Sequence, residues 1–176
     1  TKIMNRLVEK GRIDEKTAAD IKGRISYETG MEAFASCGLV IEAIIEDLGI
    51  KKTVFAKMEE IVPADCIIAS NTSSLSISAI GSALNNPERF VGIHFFNPAP
   101  LMKLVEIIPA LQTTDHYLAT AKETIDSWGK LTVLAKDTPG FIVNRIARPF
   151  YSEALRMYDE GVADFATIDW ALTEIA

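Results

Sequence analysis

Apolar and polar positions follow two different periods along this chain. Residues 1–24 carry apolar positions at helical spacing and predict two helices. Gly11 closes the first, and Asp14 opens the second with a short carboxylate suited to an N-cap. Residues 25–28 alternate and predict a short strand. Residues 38–45 are apolar on both faces apart from Glu42 and predict a buried strand. Residues 49–61 place Ile50, Val54, Phe55, Met58 and Ile61 at helical spacing, and Pro63 ends that helix. Residues 66–69 predict a second buried strand, which runs into the polar stretch 70–74, and residues 76–83 a short helix. Residues 90–96 predict a strand, Pro98 and Pro100 a turn, and residues 103–108 the next strand. A helix over 115–128, closed by Gly129, and a strand over 131–135 complete the alternation. Strands apolar on both faces, interleaved with amphipathic helices, predict an α/β fold with a mostly parallel, doubly covered sheet. From about Thr138 the strands stop. Residues 141–160 predict one long helix kinked at Pro149, Gly161 ends it, and Asp164 starts another. The chain therefore reads as an α/β part over 1–137 and the start of an all-α part over 138–176.

Composition narrows the roles open to such a fold. With 48% hydrophobic and 24% charged residues among 176, the chain can build a core without cross-links. Eighteen basic against 24 acidic residues leave a net charge of −6, which disfavours nucleic acid as a partner, because phosphate binding needs a basic surface. No apolar run approaches the roughly 18 residues that a membrane span needs, and no basic segment followed by an apolar one opens the chain. Only Cys37 and Cys66 occur, with no C-x-x-C, so a zinc or dithiol site has no support. Both read as buried thiols in a reducing compartment, and a cytoplasmic location is expected. Asn71-Thr72-Ser73 matches a glycosylation sequon that means little without a secretory signal.

Ligands of open α/β sheets sit beyond the carboxyl ends of the strands. Three polar clusters fall at such ends: Glu42 to Asp47, Ser70 to Ser74, and His94 to Asn97. His94 and Glu106 are symmetric about the turn near residue 100. If their strands form a hairpin, the two side chains meet on one face. A carboxylate beside an imidazole holds one tautomer and makes a better base; equally, the two could form an ion pair that only satisfies itself. Ser73 or Ser74 with His94 and Glu106 would make a nominal triad, but no G-x-S-x-G elbow is present. Hydrogen bonding, or capping of the next helix, suits these serines better. Asn144 falls in the first turn of the long helix after the Pro139-Gly140 turn. There its amide either faces a cleft or bonds to its own backbone.

Four segments together give a resemblance: Ser70-Asn71-Thr72-Ser73-Ser74-Leu75, His94-Phe95-Phe96-Asn97-Pro98, Met102-Lys103-Leu104-Val105-Glu106, and Asp137-Thr138-Pro139-Gly140-Phe141-Ile142-Val143-Asn144-Arg145. In order and spacing, these resemble the L-3-hydroxyacyl-CoA dehydrogenases, including 3-hydroxybutyryl-CoA dehydrogenases. The resemblance implies a Rossmann-like NAD-binding domain followed by a helical domain that forms a homodimer. It also implies oxidation of an acyl-CoA 3-hydroxyl to a ketone with NAD as cofactor. His94 would take the hydroxyl proton and Glu106 would orient the imidazole. Ser73 and Asn144 would bond the reacting oxygen or its neighbours, and Asn97 would support the substrate site. Glu46, Lys51 and Asn71 would lie on the cofactor side. The family's opening strand and G-x-G-x-x-G loop have no match here, and the resemblance ends inside the helical domain, so the chain reads as a piece of a longer protein. Two other readings stand beside this one: a non-catalytic acyl-CoA-binding or assembly module on the same fold, and a related sugar-acid dehydrogenase.

Overall fold

A computed structural model describes residues 2–175, which fall into two compact units, Thr1–Ala33 and Phe34–Ala176. The first unit contains α1 (Lys2–Glu9) and α2 (Glu15–Gly23). Asp14 caps α2 by accepting the Thr17 N–H at 2.7 Å, and Gly11 leaves α1 at a positive φ of 64°. The strand predicted at 25–28 does not form. Ile25 and Tyr27 are 49% and 85% exposed, and an alternating segment with no neighbouring ladder has nothing to hold it extended.

In the second unit, β1 (Leu39–Glu42), β2 (Ile67–Ser70), β3 (Phe90–Phe95), β4 (Leu104–Pro109) and β5 (Leu131–Leu134) form one sheet in the order β1-β2-β3-β4-β5. All neighbours are parallel except β3 and β4, which form the predicted hairpin. The sheet is thus Rossmann-like and mostly parallel, with a helical region after it. α3 (Leu48–Ile61), α4 (Ile77–Gly81) and α5 (Asp115–Ser127) connect the strands, and α6 (Val143–Asp159) and α7 (Phe165–Ile175) follow.

Strand parity sorts the core into two faces. Ile67, Ala69, Val91, Ile93, Val105 and Ile107 pack with Ala121 and Ile125 of α5. The other parity faces α3 and α4: Phe90 meets Phe55 edge-on at 4.9 Å between ring centroids. On that face Gly92 has to lack a side chain, since a Cβ there would lie 2.7 Å from the Ile77 side chain and 3.1 Å from that of Ile108. Glu42, Ser70, Gly92, His94 and Glu106 share this parity through the register pairs Glu42↔Ser70, Ser70↔Gly92 and His94↔Glu106.

Two boundaries differ from the sequence reading. β1 stops at Glu42 because its carboxylate accepts the Ile44 N–H at 2.5 Å and turns the chain outward, leaving Ile45 exposed. α6 begins at Val143, after Gly140 and Phe141 take left-handed φ values of 76° and 47°. Its helical backbone then continues through Pro149. Cys66 is buried as expected, whereas Cys37 is only half-buried.

Candidate active site

His94 and Glu106 meet across the hairpin. His94 Nδ1 lies 2.7 Å from Glu106 Oε2, and both side chains are buried. An ionised carboxylate only accepts, so Nδ1 carries the hydrogen, and in the neutral imidazole that leaves the lone pair on Nε2. The other carboxylate oxygen, Oε1, accepts the backbone N–H groups of Ile142 and Val143, each at 2.9 Å. Glu106 is therefore held at the start of α6, where a negative charge is favoured. Sequence reasoning missed that bond. Its only trace was the Pro139-Gly140 turn, which aims the first amides of α6 at the sheet. Phe96 and Phe141 flank the imidazole, with centroids 4.7 and 5.6 Å from it. Nε2 has no hydrogen-bond partner among the described residues, yet it is not sealed in. The one fully buried side-chain nitrogen or oxygen lacking a partner there is Arg89 Nε.

The other predicted residues lie on elements next to those that carry this pair. Ser73 lies on the loop after β2, exposed, with no partner for its hydroxyl among the described residues. Asn71 begins the same loop and accepts the Phe95 N–H at 2.8 Å, tying the loop to the strand that carries His94. Asn97 is exposed in the turn after β3, and Asn144 directly follows the Val143 amide that binds Glu106. The side-chain amides of Asn97 and Asn144 make no hydrogen bond among the described residues. Lys130, unremarked in the sequence, donates to the Ala99 and Met102 carbonyls at 2.5 and 2.8 Å and holds the turn beyond Asn97.

Glu46 and Lys51 belong to a polar network at the ends of β1 and β2, buried at Lys51 and open to solvent at Glu46. Glu46 Oε1 accepts the Thr72 hydroxyl, the Ser73 N–H at 3.0 Å, and the Ser74 N–H and hydroxyl at 3.3 and 3.2 Å. Burial pushes the Glu46 carboxyl up, but these bonds and the Lys51 charge outweigh it and hold it below the ordinary range. Lys51 is 1% exposed. Its ammonium faces Glu42 at 2.6 Å and Glu46 at 3.3 Å. Glu42 completes the set by accepting the Ser70 hydroxyl at 2.7 Å. A lone acid within apolar residues 39–45 was its sequence signal, since a buried carboxylate needs partners. Asp137 works similarly at the junction before α6. It accepts the Ser76 hydroxyl and the Ile77 and Ser78 N–H groups at 2.8–2.9 Å, which outweigh burial and lower its pKa. Among the described residues, no cluster of metal-ligating side chains occurs and no helix is long and apolar enough to cross a membrane.

Comparison with known proteins places this arrangement in a family. Residues 1–138 match the family described as "3-hydroxyacyl-CoA dehydrogenase, NAD binding domain", and residues 140–176 match "3-hydroxyacyl-CoA dehydrogenase, C-terminal domain". The chain belongs to the 3-hydroxyacyl-CoA dehydrogenase family. It is 45% identical over 171 residues to 3-hydroxyadipyl-CoA dehydrogenase of Escherichia coli (strain K12), covering 97% of this chain and 36% of that one. It is 42% identical over 171 residues to 3-hydroxybutyryl-CoA dehydrogenase of Clostridioides difficile, covering 97% of this chain and 61% of that one. The crystal structure of (S)-3-hydroxybutyryl-CoA dehydrogenase from Ralstonia eutropha superposes with a TM-score of 0.91 at 37% identity, over 94% of this chain and 59% of that chain. The chain thus spans less than two thirds of the length of these relatives.

Proposed function

We propose that the protein oxidises L-3-hydroxyacyl-CoA to 3-ketoacyl-CoA with NAD. The observation that carries this reading is the His94–Glu106 pair, 2.7 Å apart, with Nδ1 committed to the carboxylate and Nε2 free. Its position near the carboxyl end of the central strand, with unpartnered hydroxyl and amide groups on the neighbouring loops, suits a ligand rich in oxygen acceptors. Those groups also fit the nicotinamide half of a dinucleotide: Ser73, Asn71 and Asn97 offer neutral donors there, and Glu46 an acceptor. NAD, when bound, supplies the hydride acceptor. His94 Nε2 takes the proton of the 3-hydroxyl, which becomes acidic as its carbon loses hydride. Glu106 stabilises the imidazolium that forms, and its two bonds to α6 fix its own orientation. In the reverse direction the imidazolium returns the proton to the ketone oxygen. Ser73 and Asn144 hydrogen-bond the reacting oxygen and its neighbours, and Asn97 holds the substrate side.

In this reading residues 1–137 form the NAD-binding part and 138–176 open the helical part, an assignment supported by the two family matches. A homodimer through the helical part is supported by the apolar face of α6, where Ile146, Phe150, Tyr151 and Leu155 are exposed. The test is NADH oxidation with acetoacetyl-CoA, followed by absorbance. Turnover that disappears in His94→Ala supports the assignment; near-normal turnover in that variant overturns it. Competition by free CoA separates a CoA-ester substrate from a sugar acid.

A further inference from the structure

We propose that Glu42 is a positioning residue of this site, acting through Lys51 on Glu46 and through Glu46 on the loop that carries Ser73. Every link is a direct contact. Glu42 Oε1 lies 2.6 Å from Lys51 Nζ, with the two side chains 2% and 1% exposed. Lys51 Nζ lies 3.3 Å from Glu46 Oε2. Glu46 Oε1 takes the amides of Ser73 and Ser74 and the hydroxyls of Thr72 and Ser74. Glu42 also reaches the foot of that loop by a second route, since its Oε2 accepts the Ser70 hydroxyl and Ser70 Oγ in turn accepts the Thr72 N–H at 3.3 Å.

The ranking of the two acids follows from burial. The Glu46 side chain is 38% exposed, so water screens its hold on Lys51; Glu42 is sealed in, and its attraction is not screened. Glu42 therefore fixes where the ammonium sits, and the ammonium fixes which Glu46 oxygen is left for the loop. With Glu42 neutral, Glu46 becomes the only anion facing a buried cation. It is drawn toward Lys51 and away from the Ser73 and Ser74 amides.

That Ser73 contacts substrate rests on the function proposed above; the linkage does not, and it is tested separately. Amide hydrogen exchange is measured in the protein and in its Glu42→Gln variant, which keeps shape and an acceptor for Ser70. Exchange at Ser73 and Ser74 is expected to accelerate about tenfold or more, while Ile68, Ala69 and Val91 in the sheet stay within twofold. Unchanged loop exchange overturns the proposal, and so does acceleration spread evenly over the sheet, which would mark Glu42 as a purely structural group. If Glu42→Gln does not fold, the doubly neutral Glu42→Gln/Lys51→Met variant, which buries no lone charge, tests the same link from the other side: with no cation to draw Glu46 away, exchange at Ser73 and Ser74 should stay within about twofold of the unaltered protein, and a tenfold acceleration would overturn the proposal. Acetoacetyl-CoA kinetics on Glu42→Gln should show kcat falling more than KM rises. Absence of turnover in the unaltered protein would defeat the dehydrogenase reading while leaving the exchange result to decide the linkage.

Discussion

The two ends of the sheet bury charge to opposite ends. At the amino end of β2 and β3, Glu59 accepts the backbone and side-chain N–H groups of Asn85 and Asn86 at 2.7–3.3 Å and faces Arg89 at 3.6 Å. Arg89 donates from one nitrogen to the Pro63 and Cys66 carbonyls, and its Nε is sealed away from solvent. At the carboxyl end, Glu106 is just as fully bonded, but the group it holds is not: His94 Nε2 has no partner among the described residues and is not sealed from solvent. Buried charge alone therefore does not mark a site. The mark is a saturated carboxylate that leaves its partner's working atom open. Arg89 Nε shows the complement, an unpaired donor with no opening through which a ligand could reach it.

Exchanging roles between the ends is the strongest way to break this contrast. His94→Ala should lower turnover about 10²–10⁴-fold, the range of a lost general base, with little change in urea or thermal unfolding. Arg89→Met should do the reverse. It leaves Glu59 a buried charge short of its cationic partner, so stability should fall by about 3–5 kcal/mol. Activity per folded molecule, measured below the unfolding transition, should hold. A large activity loss in folded Arg89→Met would mean that the two ends are not independent.

The contrast also shows what the sequence could and could not reveal. Apolar runs and helical spacing located every strand of the sheet, and the symmetry of residues 94 and 106 about Pro98 and Pro100 predicted the observed His94↔Glu106 register. Periodicity failed at residues 25–28, because alternation describes one strand whereas a sheet needs two. It also could not reveal bonds that close only in three dimensions. The Ile142 and Val143 amides on Glu106, and Asp137 on the start of α4, involve partners 36–61 residues apart in the chain. Backbone donors carry no side-chain signature, so half of the Glu106 environment was invisible. Glu42 was visible as an oddity in an apolar run, but nothing local identified its partners.

Acid sharpens the comparison further, because carboxylates at both ends titrate low in the fold. Glu59 at one end, and Glu46 and Asp137 at the other, are raised by burial and lowered more by the hydrogen bonds they accept. Their ordinary values are 4.5, 4.5 and 3.8. A carboxyl lowered in the fold binds protons more weakly there than in the unfolded chain, so its stabilisation is complete above its unfolded value and is lost as pH falls through its folded one. Urea midpoints should be flat from neutrality to about pH 5 and fall below it. Asp137→Asn should flatten that fall, as should Glu59→Gln; a fall unchanged in both variants would assign the acid sensitivity elsewhere.

The smallest expected effect separates two adjacent serines of one loop. Ser73 Oγ has no partner among the described residues, whereas Ser74 Oγ donates to Glu46 at 3.2 Å. Ser73→Ala removes no bond in the free protein, so unfolding should not change. If the hydroxyl meets the reacting oxygen, kcat/KM should fall about five- to tenfold, the worth of roughly 1 kcal/mol for one neutral hydrogen bond. Ser74→Ala should act in the opposite sense, loosening Glu46 and costing a few tenths to about 1 kcal/mol of stability, with a smaller change in kcat/KM. Equal kinetic losses from both serines would show that the loop acts as one unit, and the free hydroxyl of Ser73 would then lose its claim to a distinct role.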